Sequence, residues 1–374
     1  MKRRSADRPR AKIRYAVIGL GHIAQVAVLP AFAHARRNSV LAALVSDDER
    51  KLRALGRRHR VARLCNYTDV DELFASGELD AVYIALPNSM HAEYTVRAAR
   101  AGLHVLCEKP MAVTSRECQQ MIDATERAGV KLMIAYRLHF ERANLEAARI
   151  VRSCKLGEIR YFDSQFSMQV KRGNIRLDCE LGGGPLYDIG IYCINAARSA
   201  FAAEPTHVWA TATNSGDARF KEVPETVSAV LKFPGHRVAT FTCSFGAADR
   251  SAYEVVGTRG SLRVEPAYEY AEGLAFEVTI GGRKRRRQFA KRDQFAPELL
   301  YFSACVLRDR EVEPSGEEGL ADVRVIEALR ESMADGRFAE TRLAQRDQRP
   351  TLAQEIRRPA VRKPKTVNVP APHS

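Results

Sequence analysis

Six residues, Gly19-Leu20-Gly21-His22-Ile23-Ala24, constrain this chain more than any other feature. They follow an apolar run, Lys12 to Ile18, and open a stretch with helical spacing from His22 to Ala35. Gly-x-Gly-x-x-Gly/Ala between a strand and a helix is the fingerprint of a dinucleotide-binding βαβ unit. Gly19 permits the tight turn, Gly21 leaves no side chain in the path of a pyrophosphate, and Ala24 lets helix and strand approach. The helix then offers free N–H groups and the positive end of its dipole to the phosphates. His22 and Ile23 complete the candidate contact surface. A bare match arises by chance. The strand before it, the helix after it and the further β–α units downstream set this one apart.

Val40 to Val45, Ala81 to Leu86, His104 to Cys107 and Leu132 to Ala135 are further short apolar runs. They do not alternate strictly, as expected of strands covered on both faces. Helical patterns lie between them at Asp48 to His59, Ala92 to Ala101 and Ser115 to Ala128. Thr114 and Glu117 have the spacing of a capping box for the last. The predicted fold class is α/β, with a doubly wound parallel sheet over residues 11–136. After Tyr136 the rhythm changes. Helices are predicted at Glu141 to Arg152 and Leu186 to Ala200, with a strand at Glu158 to Ser167 and a break at Gly182-Gly183-Gly184 between them. Val208 to Thr213, Val227 to Phe233, Val238 to Phe245, Tyr253 to Val256, Ser261 to Val264 and Phe276 to Ile280 read as strands, several joined by hairpin turn residues. Helices at Phe295 to Leu307 and Glu317 to Ala334 follow. Residues 137–344 are therefore expected to form an α+β domain around a large, mostly antiparallel open sheet. Prolines among basic residues predict an irregular or disordered tail over 345–374.

Composition excludes other classes. The net charge of +14 gathers in runs, Lys2 to Arg10, Arg283 to Arg287 and Arg357 to Lys365. No aromatic residues interleave them as a base-stacking surface requires, so solvated tails and a hairpin tip are expected rather than nucleic-acid binding. The eight cysteines form no Cys-x-x-Cys pair, so no metal site or disulfide framework is expected. No apolar run suits a membrane span or a secretory signal, and a cytoplasmic protein is expected.

The second predicted strand ends at Val45-Ser46. A carboxylate there would accept from the ribose hydroxyls of NAD. Ser46, with Lys51 shortly after, suits the extra phosphate of NADP instead. Asp47 and Asp48 keep NAD open, unless Asp48 only caps the next helix. Pro87, Asn88 and His91, beyond the strand ending at Leu86, and Glu108 are counted with the cofactor contacts. Glu108-Lys109-Pro110 directly follows the strand His104 to Cys107, and in an open α/β sheet the carboxyl ends of strands line the ligand crevice. Proline holds Lys109 extended. Asp188 and Tyr192, four apart on a predicted helix, share one face. Hydride transfer to a carbonyl leaves an alkoxide that needs a proton, which a phenol can supply. The plainer alternatives are a surface lysine before a turn and an ordinary core tyrosine.

Ala16-Val17-Ile18-Gly19-Leu20-Gly21, Glu108-Lys109-Pro110, Tyr136-Arg137 and Leu181-Gly182-Gly183-Gly184 running to Asp188-Ile189-Gly190 together resemble the Gfo/Idh/MocA oxidoreductase family over roughly Lys12 to Arg337. Within it, Tyr192, Ser46 with Lys51, Tyr136 to Asn144 and Ser315 to Arg324 resemble the glucose–fructose oxidoreductase branch. The resemblance implies an NADP-dependent enzyme acting on a sugar, sugar derivative or polyol. Lys109 would bind and polarise the reacting oxygen, Tyr192 would be the acid/base, and Asp188 would position the substrate. Arg137, His139 and Arg176 are candidate sugar contacts. The sheet of the second domain would pair subunits into a homodimer or homotetramer. That branch holds its cofactor with a long N-terminal arm and is exported. About ten residues precede the first strand here, so a releasable cofactor and ordinary dehydrogenase behaviour are expected. A nucleotide-binding sensor on the same fold, or a dihydrodiol- or biliverdin-type reductase, remain alternatives.

Overall fold

The computed structural model describes residues 12–346 and 349–369. Six parallel strands form the first sheet: β1 (Ile13–Ile18), β2 (Ser39–Val45), β3 (Arg63–Cys65), β4 (Ala81–Ile84), β5 (His104–Glu108) and β6 (Leu132–Ala135). Their order is β3-β2-β1-β4-β5-β6. The order reverses between β1 and β4, which opens a ligand crevice at their carboxyl ends. Along β1 and β4 successive side chains enter opposite apolar clusters. Ala16, Ile18, Val82 and Ile84 join one, and Tyr15, Val17, Ala81 and Tyr83 the other. Both faces are covered, which is why these runs do not alternate in sequence.

The helix Ser115–Ala128 carries the predicted capping box, with the Thr114 side chain accepting from the Glu117 N–H. The first helix departs from expectation. It winds in wide π turns over Ala24–Val28 and ends after Leu29–Ala31 rather than running to Ala35. Pro30 lies inside it and cannot donate to the helical ladder, so the winding widens and stops early. Two small elements, β3 and the helix Val70–Ala75, had no expectation.

The second sheet has nine strands: β7 (Ile159–Ser167), β8 (His207–Thr213), β9 (Thr226–Phe233), β10 (Arg237–Ser244), β11 (Arg250–Gly257), β12 (Gly260–Val264), β13 (Ala275–Ile280), β14 (Arg283–Gln288) and β15 (Ala339–Glu340). Their order is β14-β13-β12-β11-β7-β10-β9-β8-β15. The pairing is antiparallel except between β7 and β10, which run parallel. The helices Arg142–Arg152, Ile191–Phe201 and Gly316–Asp335 pack against this sheet. The fold is thus α/β with a second, mostly antiparallel α+β unit.

Two expectations about charged segments change. Arg283 to Arg287 is not a hairpin tip but most of β14, a fully exposed edge strand in continuous register with β13. The tail is irregular, with one 3₁₀ turn at Leu352–Gln354, yet residues 349–369 are tied down. Arg349 pairs with Glu204 at 2.6 Å, Gln354 donates to the Glu313 carbonyl at 2.9 Å, and Arg358 to the His34 carbonyl at 3.1 Å. Lys2 to Arg10, Pro370 and Pro372 lie outside the described residues. Among the described residues no helix is long and apolar enough to cross a membrane.

Candidate active site

The carboxyl ends of the β1, β2, β4 and β5 strands open into a cavity of about 1040 Å³, whose other wall comes from the second sheet and its helices. Gly19 sits at φ +90°, and a Cβ there would lie 2.5 Å from the Ala85 carbonyl oxygen, so only glycine fits the turn. Gly21 lines the cavity, and a Cβ on it would meet nothing within 4 Å. Bare backbone beside open space at a helix start is a cradle of the kind a dinucleotide pyrophosphate needs. His22 and Ile23 line the same wall.

Ser46, Asp47 and Lys51 line the cavity beyond that turn. Asp48 is occupied. Its Oδ1 accepts from the Arg50 and Lys51 N–H groups at 2.9 and 3.1 Å, capping the helix Glu49–His59. Its Oδ2 accepts from the Asn368 amide. Past β4, Pro87 and Asn88 border the cavity, and Asn88 donates to the Gly182 carbonyl at 2.7 Å, joining the two walls. His91 is fully buried, with its ring nitrogens 2.9 and 3.0 Å from the Pro110 and Leu86 carbonyl oxygens. It fastens the β4 and β5 loops together.

Glu108, at the end of β5, is buried and accepts from the Tyr83 hydroxyl at 2.8 Å. Burial pushes its carboxyl up, against the pull of Lys109. The Lys109–Pro110 bond is cis. Lys109 Nζ donates to the Asp188 carbonyl at 2.8 Å and to Asp188 Oδ1 at 3.3 Å. It lies 4.8 Å from the centre of the Tyr192 ring. Burial alone would lower this ammonium, but Tyr192, Asp188 and Glu108 outweigh it and leave the value raised. The lysine is a cation at neutral pH.

Asp188 and Tyr192 come from one helical stretch, wound as π over Leu186–Gly190 and as α over Ile191–Phe201. Asp188 Oδ2 accepts from Arg176 Nε at 2.6 Å. Burial opposes its charge, yet Arg176 and then Lys109 overcome that and hold the carboxyl at about 2. Arg137 Nη2 donates to the Tyr192 hydroxyl at 3.2 Å, and the same guanidinium bonds Gln294 and the Tyr268 carbonyl. Lys109, Asp188, Arg176, Tyr192 and Arg137 therefore meet at one place in the cavity.

His139 does not join them. It is 4% exposed and bonds Asn195 at 2.8 Å within a closed ionic cluster away from the cavity. The 3₁₀ turn Arg137–Phe140 turns Arg137 toward the cleft and His139 away from it, so His139 is withdrawn as a sugar contact. Sequence reasoning missed much of the far wall. Phe166 and Met168 at the end of β7, and Tyr268, Glu269 and Tyr270 between β12 and β13, line the cavity without any local motif. Asn368 and Val369 line it too.

Residues 13–136 match the family described as oxidoreductase family, NAD-binding Rossmann fold, and residues 144–263 match the GFO/IDH/MocA C-terminal domain. The chain is 32% identical to a D-xylose 1-dehydrogenase [NADP(+)] of Haloarcula marismortui, over 86% of this chain and 91% of that protein. An aldose-aldose oxidoreductase from Caulobacter crescentus, solved with glycerol, is 38% identical, with a TM-score of 0.84 over 88% of this chain and 99% of that one. A 3-ketoreductase from Actinomadura kijaniata, solved with NADP and TDP-benzene, is 27% identical, with a TM-score of 0.79 over 86% and 98%.

Proposed function

The chain belongs to the Gfo/Idh/MocA oxidoreductase family, and from that premise we propose an NADP-dependent enzyme that moves a hydride between nicotinamide and a carbon of a sugar, sugar derivative or polyol. The observation that carries this reading is the 4.8 Å approach of the Lys109 ammonium to the Tyr192 ring, in the cavity that also contains the bare turn at Gly19 and Gly21. Gly19, Gly21, His22, Ile23, Ser46, Lys51, Pro87 and Asn88 would hold the cofactor, which would supply a hydride as NADPH or accept one as NADP. Lys109 binds the reacting oxygen and polarises it. Tyr192 gives the proton when a carbonyl is reduced and takes it when a hydroxyl is oxidised. Asp188, fixed ionised between Arg176 and Lys109, keeps the ammonium in one direction. Arg137 donates to Tyr192, Gln294 and the Tyr268 carbonyl, so it holds the phenol in place. Arg176 borders the substrate beside Asp188. Aromatic faces with a few fixed charges suit a polyhydroxylated ring.

The face of the second sheet bearing Tyr161, Asp163 and Gln165 is only partly buried, and we assign it to pairing of copies into a dimer or tetramer. Eight unpaired cysteines suit a reducing compartment, and we place the enzyme in the cytoplasm. The test is a panel of aldoses, ketoses and polyols with NADP and with NAD, followed by the absorbance of reduced nicotinamide. Turnover with sugars and NADP is expected. No change across the panel would mark a sensor, and a clear NAD preference would overturn the cofactor assignment.

A further inference from the structure

Asn368 and Val369 line the cavity together with Ser46, Asp47 and Lys51, and residues 365–367 lead up to them. Gln25, one residue beyond the glycine fingerprint, is completely buried although polar. Its amide nitrogen donates to the Leu20 carbonyl at 2.9 Å and to the Val367 carbonyl at 3.0 Å. Its amide oxygen accepts from the Val367 N–H at 2.7 Å. One side chain thus takes both backbone polar groups of a residue 342 positions away. A buried amide without such partners is costly, so the pairing is a built contact rather than a chance touch. Arg58 adds a second clasp by donating to the Lys365 carbonyl at 2.8 Å.

The next residue meets the N-terminal cap of the helix Glu49–His59 that follows β2. Asn368 donates to Asp48 Oδ2, the same oxygen that stands 3.9 Å from Lys51 Nζ. With Asp48 Oδ1 already given to two backbone N–H groups, the amide of Asn368 satisfies the remaining oxygen without charge. Asn368 takes the near place at that oxygen and Lys51 the far one, so the ion pair of Lys51 with Asp48 is a long one, and the ammonium borders the cavity that Ser46, Lys51, Asn368 and Val369 line together.

We infer that residues 365–369 are part of the cofactor site: they wall its adenosine end, slow cofactor release, and through Asn368 set the preference for a 2′-phosphate. This rests on the NADP reading above. It also changes the expectation of a readily released cofactor, because a wall fastened at three points must loosen before the adenosine end can leave. No covalent step is involved.

The experiment uses the full chain with Asn368→Ala and, separately, Val367→Pro, which removes the N–H that Gln25 receives. Thermal melting checks that both fold. NADPH release is followed by loss of its bound-state fluorescence after mixing with excess NADP, and equilibrium titrations give the NADP-to-NAD affinity ratio. Each variant should release NADPH about fivefold to tenfold faster, the factor that one or two lost hydrogen bonds carry. Asn368→Ala should also lower the NADP-to-NAD ratio. Wild-type release rate and ratio in both variants, with NADP still bound, would overturn the inference alone. A parent protein that binds neither NADPH nor NADP would overturn both this and the functional reading.

Discussion

The helical stretch 186–201 carries two ionic clusters that differ mainly in access. Toward its start, Asp188 meets Lys109 and Arg176, whose side chains are 18%, 11% and 25% exposed on the cavity wall. Toward its end, Arg198 meets Glu204, Glu318 and Asp322, all at or below 4%. Asn195 and Tyr136 complete the inner cluster through Asp322, and Arg349 reaches Glu204 from the tail. The inner cluster has to satisfy itself, because an unpaired charge without water is very costly. The outer one does not. An ammonium has three donors, and two of the hydrogen bonds of Lys109 go to Asp188. The same ion-pair chemistry therefore serves cohesion where it is sealed and ligand handling where it borders a cavity.

Substitutions on either side should separate these roles. The largest effects belong to Lys109→Ala and Tyr192→Phe. Each should lower kcat by roughly 10² to 10⁴, the range of a lost acid–base group, with melting and NADP binding nearly unchanged. Unchanged turnover in either variant removes its proposed role. Arg198→Met should do the converse. Taking away the buried cation that Glu204, Glu318 and Asp322 share costs about 3–5 kcal/mol in urea denaturation, while turnover per folded molecule stays close to the parent. If activity falls and stability does not, the clusters are not distinct.

Asp188→Asn lies between. It keeps shape but removes the charge that holds Lys109, and kcat/KM should fall about tenfold to a hundredfold, a loss of ~1.4–2.7 kcal/mol. A wild-type value would show that Lys109 needs no anchor. The smallest effect is a pH dependence. Asp188 is held at about 2 against an ordinary 3.8, so its folded value is depressed. The stability it contributes is complete above about pH 4 and is lost as the pH falls toward 2, at most ~2 kcal/mol after allowing for its partial exposure. Acid denaturation of Asp188→Asn should lack that component, and identical curves would refute it.

Sequence was most informative where the chemistry is local. The glycine turn, the strand ending in Glu108, the Thr114–Glu117 cap and the Asp188–Tyr192 spacing each place their parts within a few residues, where backbone geometry alone decides what can meet. β3 has three residues and no pattern of its own. The direction of His139 depended on a single 3₁₀ turn that hydrophobic spacing does not encode. Tyr268 and Tyr270 reach the cavity on the loop between β12 and β13, which Ser251, Arg137 and Gln294, all distant in sequence, hold in place. The tail carries no apolar period, since its bonds run largely to backbone groups and carboxylates far away in the chain. Its prolines suggested loose structure, but partners such as Gln25 were invisible until folded.

β14 gives the positive charge of this chain a local meaning. Its backbone is paired on one side only, and such a rim invites another protein to add a strand without limit. Five of its six residues are Lys or Arg, all exposed. A second molecule approaching edge to edge would have to stack like charges at strand spacing, so growth in that direction is discouraged. Part of the +14 surplus thus sits where it opposes fibrous self-addition along this rim.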